Sequence, residues 1–381
     1  MAALVDGSSF AAPSVESPVV GFRPGPALSI TAPNGAAPSS TSAPTGDRVA
    51  TPGLMSIELA DIGINLRLEN PAVRAIAIDV LRPLRPLVHS RSASIHGAVL
   101  AYEPAKVNRR VSQDAKLLQS GDTSFDRGAE IFAMPDGSRF WWVNELWGLC
   151  EIDVLRRTFK SFILDRPKLG GIELMEAAVY VPLAHLLPAM GVHLIPALSL
   201  AQRGRGVLVL SPFALDSSVR AMSNYGVGVL GQRWTCLTRD ESQSAWQLRY
   251  MPGRTLCPPD PKQRSVAESG SFELRYDAAH PLMRKEPASC DLMLLLDFMR
   301  GKSTTARPIS KAKAADVLLE NWPILDLRAP GRLRRDMPNH PAHWLAKNVA
   351  LHQVRLARSP DHLARLLVRP PAAAPTSREA A

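Results

Sequence analysis

The sequence predicts an α/β fold, and three observations lead to it. Residues 203–218 read as a tight turn, a short apolar run and a loop that leads to a helix start, so strand, loop and helix follow one another. Residues 56–84 read as strand segments followed by an amphipathic helix. Hydrophobic residues make up 46% of the 381 residues, which is enough for a sizeable core and for two domains.

The first 53 residues are predicted to form a disordered tail. They contain eight prolines and five charged residues among many Ala, Ser, Thr and Gly residues. Such a segment buries too little apolar surface to offset the entropy lost on ordering. The first residues show no basic segment followed by a sustained apolar run, so no signal peptide is predicted.

Order is predicted to begin near Leu54. Residues 56–69 alternate in polarity, which indicates one bent strand or two short ones. Asn70 and Pro71 are typical of an N-cap followed by proline at the first helical position. Apolar residues then recur with helical spacing as far as Leu84, so a helix is predicted here.

A strand, a loop and a hairpin are predicted next. Residues 94–102 read as a strand, and the polar residues 103–128 as a long loop. The turn signal at 134–138 lies between two strand-like runs, 130–133 and 139–143, which indicates a hairpin.

Residues 145–164 are predicted to form a helix. Its inner side would carry Leu149, Ile152, Leu155, Phe159, Phe162 and Ile163. Trp141, Trp142 and Trp147 cluster beside it, and we interpret them as aromatic packing between the hairpin and this helix. A stacking platform for nucleic-acid bases is the alternative.

The stretch around residues 203–218 organises the rest of the chain. Gly204 and Gly206 mark a turn, and the run Val207–Leu210 is short and rich in β-branched residues, which favours a strand buried on both faces. Residues 211–217 then read as a loop, and a helix can begin near Ser218. Strand, short loop and helix is the layout of a phosphate-binding loop.

This stretch resembles the HPr serine kinase/phosphorylase-like family, in its bacterial HPr-kinase-related branch. The family carries the loop G-x-x-x-x-G-K-[ST] after such a strand, and without gaps that loop falls on residues 211–218, SPFALDSS. Ser211 and Asp216 replace the two glycines, and Ser217 replaces the lysine. Ser218 and the proline after the first position survive.

The resemblance extends over roughly residues 54–369. The histidine that the family carries before the first core strand falls on Pro196, and its acidic pair falls near Arg233 and Trp234. The resemblance implies an HPr-kinase-like P-loop core with a central mixed sheet. An intact member would phosphorylate a protein serine with ATP and Mg²⁺.

The replaced residues remove most of what a phosphate-binding loop needs. Its glycines let backbone N–H groups turn towards the phosphates, and its lysine supplies a positive charge. Here the carboxylate of Asp216 would face the phosphates, and like charges about 4 Å apart cost on the order of 4 kcal/mol at an effective dielectric near 20. Ser218 alone could still bind a metal ion. The sequence therefore predicts a loop that no longer binds ATP as the family does.

Two other glycine-containing stretches are considered and set aside. Gly226–Gly231 spells G-x-G-x-x-G, but a dinucleotide fingerprint follows a strand and opens a helix. This stretch follows a predicted helix and leads into the strand-like residues 234–237.

Residues 301–304 spell GKST after an apolar strand predicted at 292–298. Leu296 stands where a phosphate-binding loop needs its leading glycine, and Pro308 prevents a helix from running on from the tetrapeptide. We interpret the stretch as a basic surface turn and retain Lys302 as the alternative phosphate contact.

Residues 177–201 contain no Asp, Glu, Lys or Arg. The length suits a membrane span, but three prolines and two histidines oppose one, so none is predicted. The family resemblance places a buried helix and the first core strand here. We interpret His185 and His193 as residues at the edge of the core and not as ligands.

The four cysteines are widely scattered and form no C-x-x-C pair, so neither a zinc site nor a disulfide framework is indicated. This usage fits a reducing cytoplasm, which is the predicted location. No residue is assigned a catalytic or metal-binding role.

The C-terminal part is predicted to be helical and basic. Strands are predicted at 248–251 and 272–276, a helix after Ser310, and two further helices that begin at Pro341 and Pro360.

The net charge of the chain is +10, and residues 328–369 hold nine Lys/Arg against two Asp, a net charge of +7. We interpret this charge as a solvated helix face, and the alternatives are contact with an acidic partner protein, nucleic acid or an anionic membrane surface. We expect at most weak, non-specific and salt-sensitive binding of nucleic acid.

Four segments are predicted: a disordered tail at 1–53, an α+β domain at 54–170, the kinase-like core at 171–369 and a disordered tail at 370–381. The first hypothesis is a non-catalytic protein-binding or scaffold subunit without a cofactor. The second is a protein serine kinase with a rebuilt Mg-ATP site, and the third is a basic nucleic-acid-associated protein.

Overall fold

The computed structural model describes residues 53–86, 94–102, 111–121, 128–169, 171–210, 226–240, 245–252, 286–301, 304–320, 322 and 340–357. All of these belong to one compact unit, Ala50–Ala381. Several predicted elements lie outside the described residues: the two tails, the helix near Ser218, the strand at 272–276 and the helix that begins at Pro360. The described part has an α/β fold with two large mixed sheets and few helices.

The first sheet contains nine strands among the described residues, in the order β3-β1-β2-β4-β9-β8-β7-β6-β5. The strands are β1 (Leu54–Leu59), β2 (Ile62–Leu68), β3 (Arg85–Pro86), β4 (Ser94–Ala101), β5 (Lys116–Gly121), β6 (Ala129–Ala133), β7 (Arg139–Asn144), β8 (Gly148–Asp153) and β9 (Thr158–Ile163). β4 lies between β2 and β9 and is parallel to both, whereas the other pairs are antiparallel.

The first elements match the prediction of two short strands and a helix. Ala60 and Asp61 both have positive φ angles, 49° and 66°, which gives the tight turn between β1 and β2. Helix α1 (Pro71–Leu81) follows. The side chain of Asn70 caps it, because its Oδ1 accepts hydrogen bonds from the N–H groups of Ala72 and Val73, each at 3.1 Å.

Loss of this cap should be measurable. We expect Asn70→Ala to lower the free energy of unfolding by about 1 kcal/mol, because two N–H groups of the first turn lose their acceptor. Asn70→Ser should cost much less, because serine keeps a capping oxygen. Urea denaturation of both variants measures the difference, and equal losses would show that the cap contributes nothing.

The helix predicted at 145–164 is wrong. The structure has β8 and β9 there, joined by a turn in which the N–H of Arg156 donates to Oδ1 of Asp153 at 2.9 Å and Arg157 has a φ of 53°. Leu155, assigned to the inner side of the helix, is 79% exposed. The spacing misled because both faces of this sheet bury apolar residues, so the two-residue alternation of a strand is hidden.

The long loop predicted at 103–128 is also wrong in part, because the edge strand β5 lies inside it. Its sequence is mostly polar and gives no alternation to recognise. Trp141, Trp142 and Trp147 are all buried, as the packing interpretation required. The Trp142 ring, however, packs against His185 of a later helix, with ring centroids 5.4 Å apart.

That later helix, α2 (Gly171–Met190), links the two sheets along the chain. It contains a π-helical turn at Glu176–Tyr180 and ends in a tighter turn before Gly191, whose φ is 75°. It is the one helix of the described residues that is long and apolar enough to cross a membrane, and 83% of its apolar window is buried inside the protein.

The second sheet also contains nine strands among the described residues. They are β10 (Val192–Ile195), β11 (Leu198–Gln202), β12 (Arg205–Leu210), β13 (Gly228–Gly231), β14 (Thr235–Asp240), β15 (Ala245–Arg249), β16 (Ala288–Gly301), β17 (Thr305–Pro308) and β18 (Ala350–Ala357). β16 is parallel to both β12 and β18, and the other pairs are antiparallel. The strands predicted from the turn at Gly204 and from residues 292–298 are therefore confirmed.

Two helices cover one face of this sheet. α3 (Lys311–Glu320) and α4 (Pro341–Asn348) pack their buried residues into the same apolar cluster as Leu208 of β12 and Met293 of β16. The predicted helices after Ser310 and from Pro341 are both confirmed.

Candidate functional site

The carboxyl ends of the parallel strands β12, β16 and β18 form the candidate site. Leu210, the last residue of β12, lies opposite Leu295 of β16, which lies opposite Gln353 of β18. Ligands of open α/β sheets bind outside the carboxyl ends of parallel strands. The loop predicted at 211–218 leaves the sheet at this point, since Ser211 directly follows β12. We call this end of the second sheet the carboxyl edge.

Two further segments reach the carboxyl edge. β11 is antiparallel to β12, with Leu198 opposite Val209, so Pro196 and Ala197 precede β11 at the same end as Leu210. β13 is antiparallel to β11, with Gly231 opposite Ser199, so the turn at 232–234 also lies at that end.

One hydrogen bond joins these two segments. The hydroxyl of Thr235 donates to the carbonyl oxygen of Ala197 at 3.0 Å. The strand directions thus bring together Leu210 and the positions aligned with the family histidine and acidic pair: Pro196, Arg233 and Trp234.

The site residues that the sequence predicts lie outside the described residues: Ser211, Asp216, Ser217, Ser218 and Lys302. The strands that precede them nevertheless fix where the chain leaves the sheet. Gly301 of β16 pairs with Ala357, four β18 residues beyond Gln353, or about 13 Å along the strand. Lys302 therefore follows a strand position well past the point at which the 211–218 loop leaves the sheet.

Arg233 carries the main electrostatic contact at the carboxyl edge. Its Nη2 lies 3.2 Å from Oε2 of Glu176, and its Nη1 lies 3.6 Å from Oε1 of Glu173. The Glu176 side chain is 7% exposed, whereas those of Arg233 and Glu173 are 34% and 50% exposed. The ion pairs join α2 to the turn between β13 and β14.

The π-helical turn of α2 places a tyrosine against the same turn. The Tyr180 ring meets the Trp234 ring edge to face, with centroids 5.9 Å apart, and its hydroxyl donates to the carbonyl oxygen of Pro252 at 2.7 Å. Both rings are buried. Arg233 and Trp234 are thus engaged in contacts that hold α2 against the second sheet.

Two buried groups near this edge, Tyr180 and Cys236, are not suited to acid–base or nucleophilic chemistry at neutral pH. Burial, followed by the nearby Glu176 and Tyr250, raises the pKa of Tyr180 well above its usual 10. Burial also raises the pKa of the Cys236 thiol to about 12. Both groups therefore stay protonated at neutral pH. In the part of the chain that the structure describes, no three His, Cys, Asp or Glu residues could hold a metal ion.

The G-x-G-x-x-G stretch has a structural explanation. Gly226 has a φ of 67° in a turn, and Gly228–Gly231 forms β13, so the stretch opens no helix. A Cβ at Gly231 would lie 2.1 Å from the carbonyl oxygen of Trp234, so only glycine fits there. The prediction that this stretch is not a dinucleotide-binding loop is therefore confirmed.

Sequence reasoning missed Glu173 and Glu176. Two acidic residues three positions apart open a helix that is otherwise almost free of charge, and this spacing places them on one helical face. The contrast between these two acidic residues and the nearly uncharged remainder of the helix was the signal that could have identified them. The identity of their partner, 57 residues beyond Glu176, could not be read from it.

The comparisons with known proteins show a distant similarity of fold. No family model matches the chain, and no curated protein matches it. Among solved structures, it is similar to the HPr(Ser) kinase/phosphatase from Coxiella burnetii, with 10% sequence identity and a TM-score of 0.27. That similarity covers 46% of this chain and 94% of the other. It is a distant similarity of fold and says nothing about the chemistry of this chain.

Proposed function

We propose that this chain is a non-catalytic protein-binding or scaffold subunit that keeps the layout of an HPr-kinase-like protein without its nucleotide site. One observation carries the proposal. The loop that leaves the carboxyl edge after Leu210 has neither the glycines nor the lysine that phosphate binding requires. Asp216 instead brings a negative charge to this loop.

The described residues around the loop support the proposal. Where the family resemblance implies a histidine there is Pro196, and where it implies carboxylates there are Arg233 and Trp234. The guanidinium of Arg233 faces two carboxylates, so these three side chains together carry a net charge of −1. This cluster therefore adds no net positive charge that would replace the missing lysine.

A non-catalytic subunit would act by binding another molecule. The proposal therefore includes a protein partner, no resident cofactor and a cytoplasmic location. Nucleic acid is not the favoured partner, because the tryptophans that could have stacked on bases are buried.

Thermal melting with millimolar Mg-ATP tests the proposal. A ligand present at a hundred times its Kd stabilises the native state by about 2.7 kcal/mol, which shifts the melting temperature of a protein of this size by several degrees. We expect no shift for the wild-type chain. A shift that Ser218→Ala abolishes would show that the loop still binds nucleotide and would contradict the proposal.

The Lys302→Ala variant tests the alternative that phosphate binds at residues 301–304 and not at the 211–218 loop. If the wild-type shift is large and Lys302→Ala abolishes it while Ser218→Ala does not, the phosphate site lies at 301–304. The chain would then be a candidate protein serine kinase with a rebuilt site. The measurement is repeated at higher ionic strength, because non-specific electrostatic binding of ATP to basic residues weakens as salt is added.

A further inference from the structure

A buried group of aromatic rings joins α4 to the second sheet. His193 of β10 meets the rings of Trp246 and Trp322 at centroid distances of 5.3 and 5.9 Å. The His340 ring lies 4.8 Å from that of Trp322 and 6.4 Å from that of His193. The His343 ring follows at 6.4 Å from His340. Three imidazoles thus lie in succession between β10 and α4.

His340 has to be neutral to do what the structure shows. It is the N-cap of α4, and its Nδ1 accepts a hydrogen bond from the N–H of Ala342 at 3.2 Å. A protonated imidazole carries a hydrogen on both ring nitrogens and cannot accept. It would also place a positive charge at the positive end of the helix dipole. Protonation of His340 therefore removes the cap and opposes the helix.

His193 has to be neutral for a second reason. It is 9% exposed, and none of the described residues hydrogen-bonds to its buried Nδ1. Burial, followed by the proximity of His340, lowers the pKa of His193 from 6.5 to about 3. A charged imidazole here would be buried, unpaired and beside a second histidine.

Among the described residues, no carboxylate contributes to the shift in the pKa of His193. The charged and titratable side chains on β14, β15, α3 and α4 are Cys236, Arg239, Asp240, Arg249, Lys311, Lys313, Asp316, Glu320, His340, His343 and Lys347. Of these, His340 is the group whose charge acts on the pKa of His193.

We propose that His193 and His340 form an acid-sensitive latch that holds α4 against the second sheet at neutral pH and releases it on acidification. α4 leads directly into β18, one of the three parallel strands of the carboxyl edge. Release of α4 therefore loosens that edge. The inference does not depend on whether the 211–218 loop binds nucleotide.

The sign of the pH dependence follows from the lowered pKa. A released His193 titrates near 6.5, and a latched one near 3, so protons bind preferentially to the released state. The latch is complete above pH 6.5 and weakens as the pH falls below it. At pH 5.5 the released state should be favoured about tenfold more than at pH 7.5 through His193 alone.

Hydrogen–deuterium exchange of the full chain at pH 7.5 and 5.5 tests the latch. After correction for intrinsic exchange rates, the protection of α4 relative to α1 should fall about tenfold at pH 5.5. α1 contains no histidine and serves as the internal reference. The variant His193→Phe/His340→Asn should show no such fall, because asparagine caps a helix at every pH and phenylalanine does not titrate.

Two outcomes would overturn the proposal. One is an unchanged ratio of α4 to α1 protection in the wild-type chain. The other is a fall in the double variant as large as that in the wild type. Should the double variant fail to fold, His193→Phe alone decides the matter: a smaller fall than in the wild type supports the latch, and an equal fall contradicts it.

Discussion

Gly231→Ala should be among the most destabilising single-methyl changes in this protein. The added Cβ would lie 2.1 Å from the carbonyl oxygen of Trp234 and 3.1 Å from Oγ of Ser199. A backbone carbonyl cannot move away as a flexible side chain can, so the turn at 232–234 has to shift and the contacts of Arg233 and Trp234 shift with it. We expect a loss of about 3–5 kcal/mol in the free energy of unfolding.

Gly226→Ala is the control for this prediction, because it alters the first glycine of the same G-x-G-x-x-G stretch. Gly226 has a φ of 67°, but a Cβ there would have no atom of the described residues within 4 Å. The cost should be limited to the strain of the left-handed conformation, about 1–2 kcal/mol. Denaturant unfolding of both variants gives the comparison. A loss at Gly231 no larger than that at Gly226 would show that β13 does not approach the turn so closely.

Arg233→Ala should produce the second large effect. It leaves the buried carboxylate of Glu176 without the guanidinium 3.2 Å away. Breaking a buried ion pair by removing one partner costs about 3–5 kcal/mol. Because Arg233 is 34% exposed and water screens part of the interaction, we expect about 2–3 kcal/mol.

A double-mutant cycle separates the ion pair from simple loss of packing. In a Glu176→Gln background, Arg233→Ala should lower the free energy of unfolding clearly less than in the wild type, because the buried negative charge is already removed. Glu173→Gln, at a half-exposed partner 3.6 Å away, should cost under about 1 kcal/mol. An equal cost of Arg233→Ala in both backgrounds would mean that the ion pair does not hold α2 to the second sheet.

The sequence predicted elements well where local chemistry decides the conformation. The cap at Asn70, the hairpin around residues 134–138 and the strand that ends at Leu210 each carry a local signal, and the structure confirms all three. Turn residues and caps act over a few positions, so a single sequence contains the information needed.

Prediction failed where contacts with distant parts of the chain decide the local structure. Residues 145–164 are apolar on both faces of a sheet, and this pattern also fits a helix until the turn at Arg157 is recognised. The contact of Glu176 with Arg233 joins residues far apart in the chain, and no local pattern encodes it. The family resemblance indicated which residues lie at the carboxyl edge. The contacts of Arg233 and Trp234 there could be seen only in the structure.

Calorimetric titration of Mg-ATP into the full wild-type chain tests the central claim most directly. If Asp216 and the missing lysine each weaken binding by about 2 kcal/mol after screening, affinity falls roughly a thousandfold. The account predicts no saturable binding of the wild type in the micromolar range and tighter binding by Asp216→Gly/Ser217→Lys. A micromolar Kd for the wild-type chain, lost in Ser218→Ala, would contradict it.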